Sequence, residues 1–264
     1  MNIHHYLIPL KFVMARWPLL RLDPPWGRSV SADTLRALIF DFNGVIADDE
    51  IPHFLAFQQA LAEDGLALTH EEYYGAYLGM DERNCAAALL ESLTGENDPA
   101  RIRRIMERKA ALFRDYTATH KPLLFTGVVE FVKRAGTRYR LAIASGGRRE
   151  QIKFALRDTP IEKDFAVLVS AEDTAIGKPD PATYRLALTR LNAVDPRPRP
   201  LISPEECLVI EDSLAGIRAA LAAGMKVVGL ATTYPADQLS DAHAVFTTLA
   251  GVSLDRLERL FGAE

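Results

Sequence analysis

Four places in this sequence set a reactive side chain where it could do chemistry. Asp41 closes the apolar run L-R-A-L-I-F-D-F (35–42) and Ser145 closes Y-R-L-A-I-A-S (139–145). Lys178 lies in G-K-P-D-P, beyond the run F-A-V-L-V-S (165–170), and Glu211 and Asp212 end C-L-V-I-E-D (207–212). A carboxylate is ionised at neutral pH without the help of a base, so it can act as a nucleophile or as a hard oxygen ligand. Asp41, Glu211 and Asp212 together offer the all-oxygen set that Mg²⁺ prefers. Lys178 would add a fixed positive charge, and the Ser145 hydroxyl and the Gly146 amide could hydrogen-bond oxygen atoms. Taken singly, each residue also has an ordinary structural role: Asp41 and Glu211-Asp212-Ser213 as caps, Ser145 before Gly146-Gly147 as a turn former, Lys178 as a solvated loop residue.

The elements needed to bring these residues together can be read from the pattern. The run at 35–42 has the continuous apolar character of a buried parallel strand. From about 52 to 119 the pattern is helical: Phe54, Phe57 and Leu61 share one face before Gly65, and Ile102, Ile105, Met106 and Leu112 share another. Beyond Pro122, strand candidates at 139–145, 165–170, 207–212 and 226–232, with a weaker one at 243–247, alternate with helices at about 127–136, 148–158, 180–193 and 213–223. Alternation of this kind predicts an α/β fold, an open parallel sheet of Rossmann-like type with an inserted all-helical unit. The expected organisation is an irregular extension at 1–34, an α/β core at 35–51 and 121–264, and a helical cap at 52–120. Such a sheet collects its ligand at the carboxyl ends of its strands, where the residues above fall. The helical unit leaves the chain just after Asp41, in position to cover that edge as a lid.

The order of these stretches resembles the haloacid dehalogenase superfamily. D-F-N-G-V-I-A-D-D (41–49) looks like its first motif, and Ser145, Lys178 and V-I-E-D-S-L-A-G-I (209–217) match the second, third and fourth in order. The inserted helices resemble the cap of the subgroup that holds β-phosphoglucomutase and phosphoglycolate phosphatase. The resemblance implies a Mg²⁺-dependent phosphatase of a small phosphorylated metabolite, working through an aspartyl-phosphate on Asp41. Asp41, Asn43, Ser145 and Lys178 are then the catalytic residues, and Asp41, Asn43, Glu211 and Asp212 hold the metal. Gly146, His53, Arg83 and Lys109 are the expected substrate-binding residues, the basic cap groups suiting a second phosphate or carboxylate. The bland reading of Arg83, Arg108 and Lys109 is a solvated helix face.

The first motif departs from the family pattern, which has a second aspartate where this chain has Asn43. Asn43 keeps the main-chain carbonyl for the metal, but its amide cannot exchange a proton. Losing general acid–base help costs about 10²–10⁴ in rate unless another group substitutes. Asp48 and Asp49 are near in sequence. Asn43 keeps two other readings open, a sugar phosphomutase and a catalytically impaired phosphate-binding or regulatory protein. The phosphonatase branch needs an early cap lysine that 76–88 lacks, and the metal-free dehalogenases fit poorly with the Glu211-Asp212 pair.

Composition narrows the classes further. Of 264 residues, 48% are hydrophobic and 25% charged, an ordinary globular balance, with a net charge of −4. The acidic balance argues against a general nucleic-acid partner, and no apolar run is long enough to span a bilayer. Two cysteines, Cys85 and Cys207, fit small buried residues in a reducing, cytoplasmic compartment, and no more than a monomer or weak dimer is expected. Residues 1–30 hold four basic residues and one acidic residue, a net +3, which leaves −7 for the rest. With Pro9, Pro18, Pro24 and Pro25 they read as a loosely ordered extension rather than a signal or a membrane helix.

Overall fold

The computed structural model describes residues 34–77 and 82–262, with the backbone alone at 82–84. The reading of residues 1–33 lies outside the described residues. Six strands form one parallel sheet: β1 (Ala37–Phe40), β4 (Arg140–Ala144), β5 (Val167–Val169), β6 (Cys207–Glu211), β7 (Lys226–Leu230) and β8 (Ala244–Phe246). Their order across the sheet is β5-β4-β1-β6-β7-β8. The expected α/β architecture is the one found.

Alternation along the strands sorts side chains onto two faces. Leu38, Phe40, Leu141, Ile143, Leu208 and Ile210 pack on one side against α5 (Val128–Gly136) and α6 (Arg149–Leu156). Ala37, Ile39, Ala142, Ala144, Cys207 and Val209 pack on the other, against α7 (Ala182–Leu191) and α8 (Leu214–Ala222). Burial on both faces explains why the strands are continuously apolar rather than alternating.

The topology also places the site. The chain builds outward from β1 through β4 to β5, then crosses back to β6 on the opposite side of β1. This reversal opens a crevice at the carboxyl end of β1, the usual ligand position in an open α/β sheet. Phe40 is in register with Ile143 on one neighbour and Ile210 on the other. Asp41, Ser145 and Glu211 therefore emerge at one edge.

Between β1 and β4 the chain forms α1 (Glu50–Glu63), α2 (His70–Glu72) with a π turn at Tyr73–Tyr77, α3 (Glu82–Thr94) and α4 (Pro99–Thr119). Gly65 ends the first helical stretch with φ +79°, a backbone state that glycine adopts at no steric cost. Asp98 caps α4 by accepting from Ala100 N at 2.9 Å, with Pro99 in the first turn. Phe54, Phe57, Leu61, Leu89, Leu90 and Ile105 make a core of their own, separate from both faces of the sheet. A two-stranded antiparallel ladder, β2 (Ala47–Asp48) with β3 (Leu123–Leu124), ties the two ends of this insertion together. That ladder and α9 (Leu254–Glu258) are absent from the sequence reading, because two-residue strands and a single helical turn carry no period. Among the described residues no helix is long and apolar enough to cross a membrane.

Candidate active site

At the carboxyl edge a cavity of about 310 Å³ is lined by Asp41, Asn43, Ser145, Gly146, Lys178 and Asp212, together with His53 from α1. Seven of the ten residues singled out from the sequence thus meet around one space. Gly44, Asp49, Glu50, Gly147, Ser213 and Thr233 complete its wall.

Lys178 organises the floor. Its ammonium donates to Asp41 Oδ1 at 2.7 Å and to Glu211 Oε1 at 2.6 Å, and it stands 5.0 Å from the centre of the Tyr184 ring. It is therefore a fixed countercharge rather than the solvated loop residue of the bland reading. Burial pulls a lysine pKa down, but here Asp41 and Glu211 outweigh it and hold the ammonium well above its ordinary range.

Glu211, expected as a metal ligand, belongs to the acidic cluster and has both of its oxygens engaged by neighbouring groups. Its Oε1 accepts from Lys178 and from the Tyr184 hydroxyl at 2.8 Å, and its Oε2 accepts from Asp212 N, Ser213 N and Ser213 Oγ at 2.8–2.9 Å. With both oxygens engaged and no exposed surface, it anchors Lys178 and the turn into α8 instead of facing the cavity. Gly216 makes room for it: a Cβ there would fall 1.8–2.3 Å from the Glu211 carboxylate. Burial acts to raise the Glu211 pKa, but Lys178 overrides it and the group is held low.

Asp212 does face the cavity. One of its oxygens, Oδ2, accepts from Thr233 Oγ1. Gly44, at φ +72°, passes so close that a Cβ would lie 1.9 Å from that same oxygen. The turn after β1 therefore needs glycine both for its backbone and for its space. Oxygens of Asp41, Glu211 and Asp212 all lie within 4.8 Å of one another. Three carboxylates share one lysine, and the electrostatic cost shows. Burial, with Glu211 adding to it against the pull of Lys178, pushes Asp41 up to about 6. Burial, Glu211 and Asp41 drive Asp212 well above the usual carboxylate range.

Ser145 is 2% exposed, and its Oγ accepts from Gly147 N at 3.1 Å, so the turn-forming role is realised at a cavity-lining position. His53 sits on α1, with Nε2 3.4 Å from Asp49 Oδ2 and Nδ1 2.6 Å from Lys109 Nζ. Lys109 departs from the reading of a solvated helix face. It is 1% exposed, packed between the Phe57 and Phe113 rings, absent from the cavity wall, and bound to His53, which lines it. Arg108 pairs with Glu63 on the surface of the insertion. The Arg83 side chain lies outside the described residues. Tyr184 and Thr233 were not anticipated. Tyr184 reads as one more aromatic on the buried face of α7, and Thr233 lies three residues beyond the carboxyl end of β7, past the run that marks a strand end.

Comparison with known proteins agrees with this geometry. Residues 35–224 match the family model described as haloacid dehalogenase-like hydrolase. The chain is 32% identical over 193 residues to a phosphorylated carbohydrates phosphatase of Thermotoga maritima, covering 73% of this chain and 83% of that protein. It is 30% identical over 235 residues to the protein CbbY of Cereibacter sphaeroides, covering 83% of this chain and 97% of the relative. Among solved structures, a CbbY variant from Rhodobacter sphaeroides in complex with xylulose-(1,5)bisphosphate superimposes with a TM-score of 0.60 at 26% identity, over 83% of this chain and 97% of the other. In this chain a parallel sheet carries Asp41 at its switch point with a lysine bound to it; by the family model and these relatives, the chain belongs to the haloacid dehalogenase-like hydrolase family.

Proposed function

We propose that the protein is a Mg²⁺-dependent phosphatase of a small phosphorylated metabolite, with Asp41 as the group that takes the phosphoryl. The observation that carries this reading is the Lys178 ammonium 2.7 Å from a buried carboxylate on the floor of a cavity. Asp41 attacks phosphorus with one oxygen while Lys178 offsets the repulsion between that carboxylate and an anionic ester. Glu211 keeps Lys178 in place, and Ser145 and the Gly146 amide donate to the transferring oxygens. The relatives support the substrate class, since one is called a phosphatase of phosphorylated carbohydrates and another is seen with a sugar bisphosphate.

The acidic set fits a divalent cation. Its donors are all oxygen, and it gathers three carboxylates around a single lysine. Asp41, Asp212 and the main-chain carbonyl of Asn43 would hold Mg²⁺, which when bound supplies positive charge against the phosphoryl oxygens. The α1–α4 insertion, Glu50 to Thr119 against the expected 52–120, serves as a cap over this edge, with His53 as its contribution to the substrate space.

The test is a panel of phosphate esters and acyl phosphates assayed with the wild type and Asp41→Asn, with Mg²⁺ and again after chelation. Turnover is expected only for the wild type with metal, and Asp41→Asn should fall to background, a loss of about 10⁴-fold or more. A wild type that releases phosphate from no member of the panel contradicts the reading and favours a binding protein.

A further inference from the structure

Asn43 leaves the proposed chemistry without a proton carrier, and the structure supplies a candidate six residues on. Asp49 lines the same cavity as Asp41 and Asn43. Asn43 and Asp49 also stand together in the wall of an adjoining, mostly apolar cavity formed with Phe42, Phe113 and Ile152. Asp49 is 8% exposed.

Its position would ordinarily make it the N-cap of α1, but its side chain makes no capping bond. The first turn is served by Asp48, whose Oδ1 accepts from Glu50 N at 3.2 Å. The Asp49 carboxylate is instead turned toward the imidazole of His53, 3.4 Å from Nε2. Because Lys109 lies 2.6 Å from His53 Nδ1 and an ammonium has only protons to give, the hydrogen of a neutral imidazole belongs on Nε2, facing Asp49. A carboxylate released from capping and oriented by a histidine is the arrangement expected of a general acid–base group.

We propose that Asp49 is the proton donor and acceptor of the reaction, replacing the function that Asn43 cannot perform. The proposal rests on the reading of Asp41 as phosphoryl acceptor. In the first half-reaction the bond from Asp41 to phosphorus forms, the bond from phosphorus to the leaving oxygen breaks, and protonated Asp49 delivers its proton to that oxygen. In the second, water attacks phosphorus, Asp49 takes the water proton, and the Asp41 carboxylate departs. Ester and water become alcohol and phosphate, and Asp49 ends protonated as it began. Asn43 orients the leaving oxygen or the water without exchanging a proton.

Glu50 is the rival carboxyl in the cavity wall. It accepts from the Tyr73 hydroxyl at 3.3 Å, which ties it to the insertion, and it does not share the second cavity with Asn43.

The experiment compares 4-nitrophenyl phosphate with phenyl phosphate, two substrates of similar size whose leaving groups differ in their need for a proton. Stopped-flow release is followed for the wild type, Asp49→Asn, Glu50→Gln, Asp41→Asn and the double variant Asn43→Asp with Asp49→Asn, all with Mg²⁺. Asp49→Asn should keep the first-turnover burst of nitrophenolate within a few-fold, while steady-state turnover falls by about 10²–10⁴ because the phosphorylated Asp41 is no longer hydrolysed. With phenyl phosphate the burst itself should slow, and adding Asn43→Asp should restore turnover. Unchanged turnover in Asp49→Asn overturns the assignment. So does loss of the nitrophenolate burst, which marks a structural role, or a slow second step produced by Glu50→Gln rather than Asp49→Asn. A wild type without an Asp41-dependent burst overturns the phosphatase reading itself, and this assignment with it.

Discussion

The carboxyl edge of the sheet and the helical insertion solve different physical problems with the same kinds of residue. At the edge, charged groups are buried and each is held by several partners. Glu211 accepts five hydrogen bonds, and Lys178 joins two carboxylates while lying over an aromatic ring. In the insertion, charges lie mostly at the surface in pairs such as Arg104 with Asp64 and Arg108 with Glu63, while Phe57, Leu61 and Leu89 form the interior. Exposed pairs of that sort are screened by water and contribute little, whereas an uncompensated buried charge is costly. Lys109 is the exception that links the two regions: a buried cation inside the insertion, directed at a histidine on the cavity wall. The edge is built for electrostatic precision and the insertion for a stable fold.

This contrast can be broken at either end. The largest effect is expected at the edge. Lys178→Met leaves Asp41 and Glu211 as neighbouring buried carboxylates without their cation, so folding free energy should drop by about 3–5 kcal/mol in denaturant titration, with activity lost as well. A variant as stable as the wild type would show that the cluster is not held together by this charge. A smaller effect is expected in the insertion. Leu89→Ala opens a cavity in the interior of α3 and should cost about 2–5 kcal/mol, by far the more hydrophobic of the two losses, with the nitrophenolate burst retained. If that substitution abolished the burst at a temperature where the protein remains folded, the interior of the insertion would be setting the geometry of the site.

The same contrast explains what could be read in advance. The six strands of the sheet were legible because strands buried on both faces leave continuous apolar runs, and each run ends where a single polar residue must stand. Asp41, Ser145 and Asp212 were marked by that rule, whereas applied to the run 226–232 it points to Thr232 and misses its neighbour Thr233. Glu211 was legible as an acidic residue of the site, but its bonds to Lys178 and Tyr184 were not, since nothing in E-D-S says which of two adjacent carboxyls turns toward a lysine and a tyrosine. Lys109 was harder still. Its helix, with Arg104, Arg108 and Arg114 nearby, has the charge pattern of a solvated face, and only the packing of Phe57 and Phe113 around its ammonium shows otherwise. Helix periodicity reports which side is buried on average, not which single cation is carried inside to reach a partner on another helix.

The central claim is that the Asp41 carboxylate accepts the phosphoryl group. It is tested most directly by acid-quenching the wild type during turnover of 4-nitrophenyl phosphate with Mg²⁺ and locating the phosphoryl group by peptide mass spectrometry. The account predicts one labile acyl phosphate on the peptide containing Asp41, more abundant in Asp49→Asn and absent in Asp41→Asn. Label on any other residue, or phosphate release from Asp41→Asn at the wild-type rate, would contradict it.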